Sequence, residues 1–388
     1  MMGSHYRIVT EGAVSVKVAV AEKISKELDV FYNPVMKLNR DITLLLLETL
    51  WQERKKDAAG TEGEKGATEH SFRVCSPLAG SGVRECRMAV ELSKGALLEV
   101  SVNDYSADAV KLAKENFRRN AKRLTLPKSA ILFSCDEANK HLLDSKGFSY
   151  IDIDPFGTPN PFLDASVKRL QRGGILGVTA TDTAALAGTY VNPCRRKYWS
   201  EPMRNHLMHE VGLRILTRKV QLVAAQYEKA LTPVYSYSKD HYVRVFFRNE
   251  RSKKSVDKVL AKHGYLHYCG TCLSISGSKE NAGSCCKKKT RVAGPLWLGD
   301  LWDAKLARAM AELNSTWQNG QPENQRFLET VAREAALTGV LGFYPFNLVR
   351  QKLGKTPRAK LDLLQRKGVA PTHFLSNAVK AKSVKLLF

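Results

Sequence analysis

The chain has 388 residues and a mass of 43.3 kDa, with 61 Lys and Arg against 38 Asp and Glu, a net charge of +23 and a pI near 9.7. Its 44% apolar content excludes a wholly disordered chain, and its length predicts two or three domains with cores of their own. No apolar run reaches the roughly 18 residues that a membrane span needs, and Met1–Thr10 lacks the apolar stretch of a secretory signal. Together with cysteines that do not form a disulfide framework, this points to the cytoplasm. The charge is uneven. Residues 1–190 hold 26 basic and 24 acidic residues, and residues 191–388 hold 35 and 14. An excess on one half predicts a polyanionic partner, nucleic acid before an anionic membrane surface, and nothing points to an obligate protein partner.

Residues 6–20 alternate (Val14, Val16, Val18, Val20) and predict one or two strands, and Leu38–Lys56 carries a helical pattern. The segment 57–71 has almost no large apolar residue and reads as a solvated loop insertion. A βα rhythm follows, with strands at Phe72–Cys75, Leu97–Asn103, Ala130–Ser134, Tyr150–Asp154 and Gly174–Thr179. Helices at Val83–Leu92, Asp108–Asn120, Glu137–Leu143 and Phe162–Leu170 lie between them. This alternation predicts an α/β fold with a mostly parallel, doubly wound sheet.

The second half reads as α+β. Pro202 is placed at the first turn of a long helix ending near Glu228, with Arg204 opening it. Val234–Phe247 predicts two strands turning around Ser238–Asp240, with Tyr235, Tyr237, Tyr242, Phe246 and Phe247 mostly in the core. A short helix at Lys253–His263 precedes a cysteine cluster, and two helices cover roughly 300–315 and 322–337. From Lys367 the chain reads as short elements or flexible basic tail. The division expected is residues 1–230 and 231–388.

Ser76–Gly82 (SPLAGSG) joins a strand to a helix through small residues, as a cofactor approaching the backbone requires. Neither the full dinucleotide glycine fingerprint nor a phosphate loop is present. The next strand ends at Asn103–Asp104, where an acid can bind a ribose diol, and the third at Cys135–Asp136, where one can face an adenine amine. Each acid taken alone reads as a helix cap. Together they favour a nucleoside cofactor: S-adenosylmethionine, with NAD as the alternative.

The segment Tyr150–Gly157 (YIDIDPFG) sets Asp154 at a strand's carboxyl end, with Pro155 restricting it to extended geometry. A carboxylate beside the Phe156 ring suits a planar base drawn out of its stack, by accepting hydrogen bonds from an exocyclic amine and by stacking. Asp152 is read as facing away.

FYNP (Phe31–Pro34), NRD (Asn39–Asp41), SGVR (Ser81–Arg84), DIDPFGTP (Asp152–Pro159), TATDTAALAGTY (Thr179–Tyr190), HEVGLRIL (His209–Leu216), GPLWLG (Gly294–Gly299) and THF (Thr372–Phe374) stand in one collinear order. In these motifs the chain resembles the Trm1 family of tRNA (guanine-26-N2) dimethyltransferases over nearly its whole length. The resemblance implies a Rossmann-like S-adenosylmethionine-dependent domain followed by a family-specific domain, and two methyl transfers to the N2 of guanine 26 in tRNA. It implies Asp154 and Phe156 at the guanine, with Phe31 as a second ring. It implies Arg40, Arg84, Gly80, Ser81, Asp104, Asp136 and Glu137 at the cofactor. Two positions depart from the family pattern: Ser76 stands where Asp is frequent, and Glu137 where Ala is common. Amino methylation of another RNA or of DNA, and a non-catalytic RNA-binding protein with a vestigial fold, are the alternatives.

Cys269 and Cys272 form half of a zinc knuckle. By family likeness a second C-x-x-C follows, but those positions here are Gly283 and Cys286, with Cys285 adjacent. Neighbouring side chains diverge, so three readings stand: a distorted site of Cys269, Cys272, Cys285 and Cys286; three cysteines with His263 or His267; or no metal. Any zinc is structural. Arg195, Arg196, Lys197 and Arg204 head the basic residues expected to grip tRNA, since structured RNA is read largely through shape, phosphates and 2′-hydroxyls.

Overall fold

A computed structural model describes residues 5–20, 30, 32–59 and 70–388. Phe31 and residues 60–69 of the expected insertion lie outside the described residues. The chain forms two compact units, residues 1–178 with 312–325 and residues 179–311 with 326–388.

The first unit opens with a hairpin of β1 (His5–Glu11) and β2 (Val14–Val20), whose alternating Val14, Val16 and Val18 are buried. α1 (Lys37–Ala59) follows. The βα series is β3 (Phe72–Ser76), α2 (Val83–Glu91), β4 (Leu97–Asn103), α3 (Ala107–Arg119), β5 (Ile131–Ser134), α4 (Ala138–Leu143), β6 (Phe148–Ile153), α5 (Asn160–Arg169) and β7 (Leu170–Ala180). Five parallel strands lie in the order β5-β4-β3-β6-β7. The central β3 and β6 are covered on both faces, so Val74, Cys75, Tyr150, Ile151 and Ile153 are fully buried. The direction of winding reverses between β3 and β6, and a crevice outside the carboxyl ends of strands at such a point is where open α/β sheets bind ligands. The Ser76–Gly82 turn leaves β3 there, and Asp154 follows β6.

The second unit contains α6 (Thr183–Leu186), α7 (Val191–Tyr198) and α8 (Met208–Ala225), then a hairpin of β8 (Lys229–Lys239) and β9 (Tyr242–Arg251). After α9 (Lys253–Leu260), β10 (His263–Tyr268) pairs with β11 (Ile275–Ser278) and, beyond the two-residue strands β12 (Ser284–Cys285) and β13 (Lys288–Lys289), with β14 (Arg291–Trp297). α10 (Ala304–Thr316) and α11 (Gln325–Ala335) come next. Near the end of the chain β15 (Tyr344–Pro345), β16 (Val369–Pro371) and β17 (Ala378–Ala381) form a small antiparallel sheet. No helix among the described residues is long and apolar enough to cross a membrane.

The second half departs from expectation in part. The long helix begins at Met208, because Glu201 and Gly294 exchange backbone hydrogen bonds of 2.8 Å that keep Pro202 in extended chain. Asn205 then turns the chain by accepting from Leu207 N at 2.8 Å, so Arg204 precedes the helix instead of opening it. α7 was not anticipated, although Pro193 in its first turn is a usual helix signal. Of the two readings for the chain beyond Lys367, short elements hold: β16, β17 and a short 3-10 helix are folded, and Lys380 is fully buried. Position 230/231 falls inside the second unit, since α8 packs on β8, β9 and β14. The aromatic residues of the hairpin are buried, as a core role requires.

Candidate active site

The turn after β3 is built on backbone contacts. Ala79 N donates to Asn103 O at 2.8 Å, Gly80 N to Asp104 Oδ2 at 2.8 Å, and Gly82 N to Ala79 O at 3.0 Å. Gly82 has φ +70°, and a Cβ there would lie 2.7 Å from the Ala113 Cβ on α3, so only glycine lets α2 start this close. No side chain caps α2, which leaves amide groups at its start for a ligand carboxylate. Beneath the turn, Ser76 Oγ and Glu85 Oε2 are buried without a hydrogen-bond partner among the described residues.

Asp104 accepts from Gly80 and, through Oδ1, from Ser106 N at 2.9 Å, which fixes its carboxylate at the end of β4. Asp136, at the end of β5, accepts from Lys140 Nζ at 2.6 Å and from Glu137 N at 2.9 Å. The Lys140 hydrogen bond holds its carboxyl below the usual range. Glu137 caps α4 by accepting from Lys140 N at 2.9 Å, a local role that accounts for an acid at this position. A turn with glycine at positions 80 and 82, an uncapped helix start, orphaned polar atoms below it and fixed acids at the next two strand ends fit an adenosyl amino acid.

Arg84 links this turn to the strand end carrying Asp154. Its Nη1 donates to Asn39 Oδ1 at 2.8 Å and Thr43 Oγ1 at 2.9 Å on α1, while its Nη2 donates to Asp154 Oδ2. The same guanidinium lies 3.6 Å from Asp152 Oδ2, and Asp152 also accepts from the Tyr150 hydroxyl. Asp152 therefore shares the Asp154 side of the strand, contrary to the expectation: residues two apart on a strand point the same way. Asp152 is buried, Asp154 partly accessible, and Phe156 is 51% exposed just beyond.

Arg40 belongs to a second buried cluster. Its Nε and Nη2 each donate to Glu11 at 2.6 Å, and Nη2 also to Asn33 O at 3.1 Å. Arg87 joins Glu11, Asp41 and Glu91 at 3.1, 2.6 and 2.8 Å. Burial pushes the Glu11 carboxyl up, but Arg40 and Arg87 outweigh it and bring it to about 2. Sequence reading missed this cluster because its members come from β1, α1 and α2; only together do they tie the hairpin to the helices.

In the second unit the sulfurs of Cys269, Cys272, Cys285 and Cys286 lie within 4.8 Å of one another. The Cys272 and Cys285 sulfurs are 3.5 Å apart and those of Cys285 and Cys286 3.9 Å. Zinc–sulfur bonds of about 2.3 Å in a tetrahedron separate sulfurs by roughly 3.8 Å, so the four fit zinc. The adjacent pair is accommodated because Cys286 (φ 52°) and Lys287 (φ 57°) form the left-handed two-residue turn between β12 and β13. Both nitrogens of His267 are taken, by Thr290 Oγ1 at 3.0 Å and Glu280 O at 2.8 Å, and His263 Nε2 meets Gln221 at 2.8 Å. Of the four basic residues singled out for RNA, Arg195 pairs with Glu201 at 2.7 Å and Lys197 with Asp182 at 3.1 Å, while Arg196 and Arg204 are exposed.

This sheet order, with a glycine turn and acids at successive strand ends, defines a Rossmann-like methyltransferase fold. Residues 12–385 match the TRM family, described as N2,N2-dimethylguanosine tRNA methyltransferase, and the chain belongs to that family. It is 35% identical over 383 residues to the tRNA (guanine(26)-N(2)/guanine(27)-N(2))-dimethyltransferase of Aquifex aeolicus, covering 96% of this chain and 92% of that one. Identity to the tRNA (guanine(26)-N(2))-dimethyltransferase of Methanothermobacter thermautotrophicus is 33%, covering 96% and 94%. The solved complex of Trm1 from Pyrococcus horikoshii with S-adenosyl-L-methionine is similar with a TM-score of 0.79 and 28% identity, over 97% of both chains.

Proposed function

We propose that this chain transfers methyl groups from S-adenosylmethionine to the exocyclic N2 of guanine 26 in tRNA, giving first the mono- and then the dimethylated base. The observation that carries the reading is Arg84 holding Asp154 at the switch point of the sheet, with Phe156 exposed beside it. Bound S-adenosylmethionine supplies an electrophilic methyl carbon on a sulfonium. Gly80, Ser81 and the start of α2 take its amino-acid end, Asp104 its ribose, and Asp136 and Glu137 its adenine side. Arg40, held by Glu11 and Asn33 O, contributes its remaining charge to the same ligand.

Guanine N2 is a weak nucleophile because its lone pair is delocalised into the ring. Asp154 accepts hydrogen bonds from the amino group and favours a geometry in which that lone pair is more available. Phe156, with Phe31 as a second ring, stacks on the extruded base, whose unstacking costs about a few kcal/mol. Arg84 fixes the direction of the Asp154 carboxylate, so much of the acceleration comes from positioning. After the first transfer one N–H remains for Asp154 in the second. Cys269, Cys272, Cys285 and Cys286 hold a structural zinc. Arg195, Arg196, Lys197 and Arg204 contact tRNA phosphates, the second unit supplies much of the remaining phosphate grip, and the chain works in the cytoplasm.

Incubating unmodified tRNA with the chain and labelled S-adenosylmethionine, followed by nucleoside analysis, tests the reading. N2-methylated and N2,N2-dimethylated guanosine at position 26 are expected. Label in another base, or none, overturns it.

A further inference from the structure

The second unit carries an exposed aromatic residue in a strained backbone conformation. Trp199 follows α7 and closes the helix, its N–H donating to Arg195 O at 3.0 Å. It does so with φ 54° and ψ 44°, the left-handed conformation that favours glycine and strains a bulky side chain. Its indole is nonetheless 55% exposed. A glycine would end the helix at lower cost and expose no apolar surface.

What the indole does have is a fixed orientation. Lys219 from α8 places its Nζ 3.0 Å from the ring centroid, and this lysine is only 6% exposed. One face of the ring thus covers a nearly buried ammonium, a cation–π contact worth more when desolvated. Arg195, Arg196 and Lys197 are exposed on α7, with Arg195 paired to Glu201 and Lys197 to Asp182, and Arg218 Nη1 donates to Trp199 O at 3.4 Å, so cations outnumber acids around the ring. Tyr190, the residue before α7, is 61% exposed as well. Arg196 makes no ion pair among the described residues.

We infer that Trp199 is a stacking platform for an unpaired nucleobase of the RNA substrate, braced from behind by Lys219, with Arg196 beside it for a neighbouring phosphate. The inference rests on the tRNA reading above and adds a base contact outside the guanine pocket. A cationic surface selects RNA over an apolar protein partner, and base stacking on an exposed ring is the usual companion of such charge in single-strand binding.

The test compares Trp199→Gly and Trp199→Phe with the wild-type chain, using unmodified tRNA as probe. Removing the platform is expected to weaken tRNA affinity by roughly ten-fold. Trp199→Gly exchanges the strained backbone for loss of the Lys219 contact, so its unfolding temperature should stay within a few degrees of wild type and S-adenosylmethionine binding by calorimetry should be unaltered. Trp199→Phe should retain most of the affinity, and the share of indole fluorescence quenched by tRNA in the wild type should be missing from it. Wild-type tRNA affinity in Trp199→Gly overturns the inference while leaving the methyltransferase reading intact. Failure of the wild-type chain itself to bind tRNA overturns both readings.

Discussion

Glu210 and Lys380, 170 positions apart in sequence, form a fully buried ion pair of 3.1 Å. Glu210 also accepts from Arg214 at 2.8 Å and from Gly342 N at 3.0 Å. Lys380 lies 3.7 Å from Glu334, which in turn accepts from Thr372 Oγ1 at 2.8 Å and His373 Nδ1 at 2.7 Å. Arg214 donates onward to the carbonyls of Trp297 and Gly299. The segments HEVGLRIL, GPLWLG and THF are therefore one internal lock, and their residues build the second unit. Burial alone would push the Glu210 carboxyl up, but Lys380 and Arg214 outweigh it and hold it at about 2.

Lys380→Met should consequently destabilise the chain by about 3–5 kcal/mol, because it leaves carboxylates buried without their cation. Urea unfolding followed by circular dichroism measures this. A loss below about 1 kcal/mol would mean that the network relaxes around the change.

The βα order could be read from the sequence because buried parallel strands are short apolar runs and the helices between them alternate apolar and polar faces. Partners far apart in the chain could not. Asp154 stands out at its strand end, but its pairing with Arg84 shows only once the fold brings α1, α2 and the end of β6 together. The side of the strand that Asp152 occupies was within reach of elementary geometry, since a two-residue step preserves the face. The cysteine geometry was not: neighbouring ligands converge only through the left-handed turn at Cys286 and Lys287, which no residue preference announces. Pro202 misled because a proline fits the first turn of a helix as well as an extended bridge.

At the proposed active site, Asp154→Ala should lower methyl transfer by at least about 100-fold, as loss of both orientation and hydrogen-bond acceptance implies. Its tRNA affinity should stay near wild type. Arg84→Met should act through Asp154, lowering the single-turnover rate by roughly 10- to 100-fold, in keeping with the sensitivity of catalysis to small misplacements. Rapid-quench assays with saturating cofactor separate the two variants from a defect in binding. Activity near wild type in Asp154→Ala would remove that residue from the mechanism.

For the cysteine cluster, protein purified without a metal-binding tag should contain about one zinc per chain by elemental analysis, as four thiolates at this spacing bind zinc tightly. Cys285→Ser should lower the zinc content and the thermal stability together. Metal-free protein with the same unfolding temperature would show that the sulfurs fold into this arrangement unaided.

Glu85 makes stability depend on pH in the direction opposite to most carboxylates. It is fully buried beneath the glycine turn, and burial is the main cause that raises its carboxyl to about 7, with the Arg84 charge acting against the shift and the Asp152 charge adding to it. The folded chain holds this proton more tightly than the unfolded chain, whose carboxyl titrates near the ordinary 4.5. The stabilising contribution is thus complete below that value and is lost as pH rises through about 7. A shift of this size corresponds to roughly 3 kcal/mol at most. Glu85→Gln, neutral at every pH, should therefore unfold at a higher temperature than wild type at pH 8, with the difference vanishing near pH 4. Thermal melts of both proteins across that range measure it. A constant difference between the two curves would show that the side chain contributes through packing or hydrogen bonding and not through its proton.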